Sequence, residues 1–436
     1  MSFDQVAALS VLVAVIAALV WGRVRSDVIA LTGAAVLLAT GTIRPVEVQS
    51  AFASPALIAL ASLFVIAYAM ELSGLLDFFI RRGIALCRRL GSLGLWLMIF
   101  FCGAASAFLN NTPIVVLSAP VVRDVAVSLK LSPRRFLIPL SYAAVLGGCC
   151  TLIGTSTNLL VNDMARAAGQ PSFSVFEISG VGVTVALIGG AFLFIVGGRL
   201  LDGRKPPSGP APEVDAEMLE AADTGTVGHA EVFSQHRPMK PLKALMSLAV
   251  FIGVVTVATF GWAPIAASAF AGAVLLILAR VISAEEAYAG LRPEILLLIA
   301  GMVVIGLSLE VTGLAAAATD GLVSWVRPLG PLGALVILYG VTLFLTEALS
   351  NATVAVLVTP VAVALGDSLG VDPRPFLVAV MIAASAAFAT PFGYQTNVLV
   401  YQLGGYAYTD FLKIGLPLNL ITWAAAVAAI PVFFPF

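Results

Sequence analysis

Charge is what this 436-residue sequence has least of: 11% of its residues are Asp, Glu, Lys or Arg, against about 25% in an ordinary soluble domain. That shortage excludes a chain dissolved in water along its length. Histidine is scarcer still, with only His229 and His236. Both lie outside every long apolar run, so no imidazole is available within the runs as a metal ligand or general base, and no enzyme chemistry is indicated. The four cysteines, Cys87, Cys102, Cys149 and Cys150, have neither metal-ligand nor disulfide-framework spacing and read as small packing residues. No basic run occurs and the net charge is −1, which argues against nucleic acid as a partner.

Hydrophobic residues are plentiful, at 60% of the chain with a mean hydropathy of +1.04. Apolar runs of spanning length fall at 5–21, 28–43, 55–73, 136–160 and 177–198, and again at 243–260, 264–280, 294–311, 376–400 and 411–434. The first run follows an acidic Asp4 and precedes no small-residue cleavage site, so it reads as a span and not a signal peptide. Between the third and fourth members of each set lies a longer apolar stretch, 92–129 and 331–369, interrupted midway by polar residues.

The two sets are an internal repeat. Glu71-Leu-Ser-Gly-Leu75 answers Glu310-Val-Thr-Gly-Leu314 at an offset of 239 residues, and Asn158 answers Asn397 at the same offset. Asn111 answers Asn351, Pro120 answers Pro360, and Pro133-Arg-Arg-Phe136 answers Pro373-Arg-Pro-Phe376, all at 240. Generic apolar helices would match in Leu and Val, not in paired Asn, Pro and Gly. If each interrupted stretch is a re-entrant hairpin, each half has five spans, and an odd number inserts the second half upside down. With the N-terminus outside, all of the 23 Lys and Arg except Arg44, Arg166, Arg327 and Arg374 then fall on one face, as the positive-inside rule requires.

The expected fold is therefore an all-α polytopic membrane protein of about ten transmembrane helices plus two re-entrant helical hairpins in an inverted repeat. Residues 1–200 form the first repeat with hairpin 92–129, and 242–436 the second with hairpin 331–369. The Pro-rich, then acidic, segment 201–241 is a cytoplasmic linker that reads as largely disordered. Both termini lie outside, in a cell (inner or plasma) membrane.

Irregular backbone at membrane depth occurs only where it is buried in protein or lines a cavity. Four such interruptions stand at Asn110-Asn111-Thr112-Pro113, Gly147 to Asn158, Ser350-Asn351-Ala352-Thr353 and Ala389 to Asn397. Asn111 and Thr112 at one hairpin tip, and Ser350 and Asn351 at the other, suit helix N-termini. Helix N-termini attract an anion without a buried Lys or Arg. Helices that end in the breaks present free carbonyls, and an all-oxygen ligand set suits Na+. Paired broken helices are how secondary transporters commonly build midplane sites. A channel would need a continuous polar lining, and none is found. Glu71, Glu310 and Glu347 are intramembrane carboxylates and functional candidates by default. Glu347 has no first-half partner, since Ala107 stands there, which makes it the better candidate for proton or ion coupling.

These residues carry a resemblance. Asn110-Asn-Thr112 and Ser350-Asn-Ala-Thr353 look like the paired Ser-Asn-Thr signatures of the divalent anion/sodium symporter family, within the wider ion transporter superfamily of citrate transporter-like permeases. Gly154-Thr-Ser-Thr-Asn158 and Pro391-Phe-Gly-Tyr-Gln-Thr-Asn397 look like its second pair of broken helices. The resemblance implies a homodimer in the lipid bilayer, an elevator mechanism, and Na+-coupled symport of a small divalent anion, sulfate or a di/tricarboxylate. It implies two Na+ sites, one from Ser106, Asn110, Asn111 and Gly154, the other from Glu347, Ser350, Asn351, Ala389 and Thr390. Asn111, Thr112, Thr157, Asn158, Asn351, Thr353, Thr396 and Asn397 would face the anion. Asn110 replaces the first Ser of the pattern and Ala352 the second Thr, a hydroxyl loss that bears on dicarboxylate contact unless Thr353 substitutes. Other branches of the superfamily suggest an alternative, an antiporter or uniporter of an oxyanion such as arsenite or silicate.

Overall fold

The computed structural model describes residues 2–21, 24–75, 78, 89–197, 200–201, 239–291, 293–313, 329–347, 349–391 and 393–436. Most of the expected linker, with both histidines, lies outside the described residues, as do Arg81, Arg82 and Arg88. The described chain is helical, with no strand, because a helix satisfies every interior N–H and C=O within one segment where no water is at hand.

Among the described residues each half contributes nine α-helices in the same order. The first nine are α1 (Phe3–Trp21), α2 (Ser26–Ala39), α3 (Pro45–Phe52), α4 (Pro55–Leu72), α5 (Ser92–Ser106), α6 (Asn111–Ser128), α7 (Arg134–Gly148), α8 (Ser156–Ala167) and α9 (Ser179–Phe192). The second nine are α10 (Pro241–Thr259), α11 (Ile265–Leu278), α12 (Ala284–Gly290), α13 (Pro293–Val311), α14 (Gly330–Thr346), α15 (Asn351–Leu369), α16 (Arg374–Ser385), α17 (Gln395–Gly404) and α18 (Tyr408–Phe433). Packing follows the repeat as well. The α2–α13 contact is matched by α11–α4, α5–α7 by α14–α16, and α8–α15 by α17–α6, so exchanging the halves maps neighbours onto neighbours.

Local sequence explains the boundaries. Pro45 and Pro241 occupy first turns, where a missing N–H costs nothing. Ser283 and Glu286 form a reciprocal capping box at the start of α12, with Glu286 N donating to Ser283 Oγ (3.1 Å) and Ser283 N to Glu286 Oε2 (2.9 Å). Gly370, at φ 69°, ends α15 in the left-handed conformation that a side chain resists. The short α3 and α12 lie in the gaps between the apolar runs 28–43 and 55–73, and 264–280 and 294–311, where the apolar pattern marks no helix. The runs at 136–160 and 376–400 are each two helices, α7 with α8 and α16 with α17, joined across a break. Among the described residues, five helical stretches are long and apolar enough to cross a bilayer by length and composition: Pro45–Leu72, Ser179–Gly197, Pro241–Thr259, Asn351–Leu369 and Tyr408–Phe433.

The helices form two clusters. α1–α4 pack with α10–α13, and α5–α9 pack with α14–α18; the clusters meet mainly where α8 and α15 lie against α4 and α13. Across that boundary Ser54 Oγ donates to the buried Asp163 carboxylate (2.7 Å). The densest core is in the second cluster, where α7 and α16 are buried along nearly their whole length, as helices that are apolar on all sides must be. Tyr142, Tyr339, Phe136, Phe376, Phe388 and Phe411 are its largest fully buried side chains.

The paired Pro-Arg motifs clasp the halves. Arg134, at the start of α7, pairs with Asp410 on α18, and Arg374, at the start of α16, pairs with Glu177 just before α9. Each arginine thus reaches an acid beside the last helix of the other half.

Candidate functional site

In the second cluster each half brings a helix–turn–helix tip beside a break. Residues 107–110 join α5 to α6, and 347–350 join α14 to α15. Asn110 is the N-cap of α6, its Oδ1 accepting from Thr112 N (3.2 Å), and Ser350 is the N-cap of α15, its Oγ accepting from Thr353 N (3.2 Å). The N-terminal ends of both helices, with their partial positive charge, therefore stand at the tips.

The hydrogen bonds around the tips occur twice. Ser106 Oγ donates to Asn111 Oδ1; in the second half Thr346 Oγ1 stands 2.8 Å from Asn351 Oδ1. Thr151 Oγ1 donates to Ala107 O, and Thr390 Oγ1 donates to Glu347 O (3.1 Å). Gly154 N donates to Thr151 Oγ1 (3.1 Å), as Gly393 N does to Thr390 Oγ1 (3.2 Å). Asn158 Nδ2 bridges Gly148 O (3.4 Å) and Thr151 O (2.9 Å); Asn397 Nδ2 bridges Ala387 O (2.8 Å) and Thr390 O (3.2 Å). Each break is held open by an asparagine that pins its two sides.

The first tip also reaches the second break. Asn111 Nδ2 donates to Tyr394 Oη (3.1 Å) and Thr112 Oγ1 to Gln395 Oε1 (3.2 Å). Of the residues expected to face the anion, Asn111, Thr112, Asn351 and Thr353 thus stand at the tips. Thr353 Oγ1 lies 2.7 Å from Ser350 Oγ, within its own cap. Thr157 is buried beside Thr155. Asn158 and Asn397 have their amide N–H groups engaged as pins. Thr396 is fully buried with its hydroxyl on Ser141 Oγ (2.7 Å), and the same Ser141 donates to Asn397 Oδ1 (2.7 Å).

Two expected cation ligands are otherwise engaged. Asn110 Oδ1 caps its helix. Glu347 receives four N–H donors: Phe388 N (2.9 Å), Ala389 N (2.7 Å) and Asn419 Nδ2 (2.7 Å) on Oε1, and Thr390 N (2.9 Å) on Oε2. Thr346 is the second half's counterpart of Ser106, with its hydroxyl on Asn351 Oδ1. Thr346 stands five residues before Asn351 as Ser106 stands before Asn111, and that spacing was the available signal. Tyr394, Gln395 and Ser141 were also missed, and only their positions in the folded chain bring them to the site.

The repeat, the all-helical membrane fold and the paired breaks point to a secondary transporter, and a family profile decides which. The profile described as citrate transporter matches residues 16–372 and 348–436. The chain belongs to the citrate transporter family. Uncharacterized transporter sll0640 of Synechocystis sp. is 25% identical, with 91% of this chain and 91% of that one covered. Sodium/sulfate cotransporter 1 of Chlamydomonas reinhardtii is 34% identical over 157 residues, which are 36% of this chain and 18% of that one. The solved structure of MtrF from Neisseria gonorrhoeae is similar in fold alone, with a TM-score of 0.60 at 11% identity over 89% of this chain and 83% of that one.

The residues of this citrate transporter family chain fit a small hard cation on their donor chemistry. A Cβ placed on Gly154 would stand 2.5 Å from Gly148 O and 2.9 Å from Ala107 O, and one on Gly148 would stand 2.7 Å from Asn111 Oδ1. Backbone and amide oxygens therefore pack against both glycines at distances that no side chain would permit. In the second half Asn351 Oδ1 (2.8 Å) and Ala384 O (2.6 Å) share the Thr346 hydroxyl, which has one hydrogen for two acceptors. Oxygen clusters short of hydrogens are what Na+ binding requires.

Proposed function

We propose that the protein is a Na+-coupled symporter of a small divalent anion, sulfate or a di/tricarboxylate. The observation that carries the reading is the doubled arrangement of tip and break. Each half sets hydroxyl, amide and carbonyl oxygens beside a helix N-terminus, so oxygens that suit a cation stand next to a partial positive charge that suits an anion. Coupling follows from that adjacency, because a cation in the oxygen cluster lowers the cost of holding the anion's charge out of water. The family and the sodium/sulfate cotransporter relative support the same reading.

In this reading Ser106, Asn111 and Gly154 hold one Na+ with the Ala107 and Gly148 carbonyls, and Thr346, Asn351, Ala389 and Thr390 form the other site. Asn111, Thr112, Asn351 and Thr353 meet the anion. The tips are re-entrant hairpins in two inverted halves. The second cluster travels as an elevator against the first, which carries the dimer contact, with the α8 and α15 boundary as the sliding surface. Both termini lie outside and the linker in the cytoplasm.

Purified protein screened by thermal unfolding against sulfate, succinate, citrate, malate and arsenite, in Na+ and in K+, tests this. One divalent anion should raise the midpoint in Na+ and not in K+. Stabilisation by arsenite alone, or by an anion equally in both salts, overturns the reading.

A further inference from the structure

The two breaks are nearly identical in their hydrogen bonds, yet one charge distinguishes them. Thr151 and Thr390 each donate to the carbonyl of the residue that ends the tip-ward helix, Ala107 in one half and Glu347 in the other. Ala107 and Glu347 are therefore structural equivalents, and only the second carries a carboxylate.

What that carboxylate does is visible in the backbone it holds. In a continuing α-helix the N–H groups of Phe388, Ala389 and Thr390 would donate to the carbonyls of Ala384, Ser385 and Ala386. All three donate to Glu347 instead, Phe388 N sharing its hydrogen with Ala386 O (3.2 Å). Ala384 O is left to the Thr346 hydroxyl, 2.6 Å away. The first half keeps its turn longer: Cys149 N still donates to Val145 O (3.3 Å) and Cys150 N to Gly147 O (2.9 Å). The fourth donor to Glu347 comes from Asn419, in the middle of α18, which is 1% exposed and whose Oδ1 is buried without a hydrogen-bond partner.

We propose that Glu347 is the positioning residue of the second cation site. Its carboxylate, steered by Asn419, draws three backbone N–H groups away from the end of α16 and so turns the carbonyls of the break toward Na+. A glutamine has the same shape but carries one oxygen and no charge, so its NH2 group would face at least the Thr390 N–H and the break would close back toward helix. The residue acts through the main chain and touches neither ion. The first site, with Ala107 in the corresponding place, does not depend on it. This inference rests on the Na+ symport reading.

The test is the Na+ dependence of anion uptake into proteoliposomes for the wild-type chain, Glu347→Gln, Glu347→Asp and Asn419→Ala. Loss of hydrogen bonds to a charged group should raise the Na+ concentration for half-maximal uptake about tenfold or more in Glu347→Gln. The Hill coefficient should fall toward one, and the anion KM at saturating Na+ should move little. Glu347→Asp should fall between, and Asn419→Ala, which removes one of four donors, should give a rise of about three- to tenfold. A residue that only stabilised the fold would reduce the yield of folded protein and the maximal rate without moving the Na+ dependence. Should Glu347→Gln not be recovered as a monodisperse protein, Asn419→Ala decides. Na+-driven wild-type uptake with an unmoved Na+ dependence in the folded variants overturns this inference alone, whereas wild-type uptake indifferent to Na+ overturns it together with the reading beneath it.

Discussion

Gly154→Ala is the perturbation whose consequence follows most directly from the geometry. The added methyl would stand 2.5 Å from Gly148 O, 2.9 Å from Ala107 O and 3.0 Å from Gly148 Cα. All three are backbone atoms, so no side chain can rotate out of the way. Ordinary contact begins at 3.4 Å, and the walls of the first break must therefore separate by roughly half to one ångström or the break must re-form elsewhere. Overpacking of this kind costs about 1–3 kcal/mol, and the loss falls on the state in which those oxygens converge. The Na+ concentration for half-maximal uptake should accordingly rise about 5- to 150-fold, with the protein still folded. Gly253→Ala is the control: nothing lies within 4 Å of its Cβ position, and a glycine replaced by alanine within a helix should add about 0.5–1 kcal/mol of stability. A Gly154→Ala protein with wild-type Na+ dependence would refute the cradle.

Asn111→Ala and Asn351→Ala should each abolish uptake while leaving the thermal unfolding midpoint close to wild type, read by proteoliposome uptake and by unfolding in detergent. Thr346→Val, which keeps the shape and removes the oxygen, should raise the Na+ requirement where Thr346→Ser leaves it nearly unchanged. Arg134→Ala should lower stability by about 3–5 kcal/mol because it strands the Asp410 charge in a buried pair. Arg374→Ala should cost less, since Glu177 is 34% exposed and water covers the loss.

The sequence made the architecture legible because polar residues in hydrocarbon are costly and therefore informative. Asn111 with Asn351, and Asn158 with Asn397, located both tips and both breaks at an offset of about 240 residues. What it did not separate was ligand from pin. An asparagine that faces a guest and one whose amide bridges Gly148 O and Thr151 O look alike in one dimension, and Asn158 is the second kind. The engagement of Glu347 was hidden for a related reason: its donors lie 41 to 72 residues further on, so nothing near it in sequence shows that the carboxylate receives backbone N–H groups. Thr346 was obscured by its neighbour, although its spacing to Asn351 repeats that of Ser106 to Asn111. The short α3 and α12 were hidden because they fall between the long apolar runs and are too short to register as spans, even though Ser283 and Glu286 form a legible capping box.

The most direct test of the central claim is uptake of labelled sulfate, succinate or citrate into proteoliposomes holding the wild-type chain, under an inward Na+ gradient and under an equal K+ gradient. Na+ should drive accumulation of one of these anions above its external concentration, and K+ should not. Equal uptake in the two salts, or equilibration without accumulation, would contradict the account.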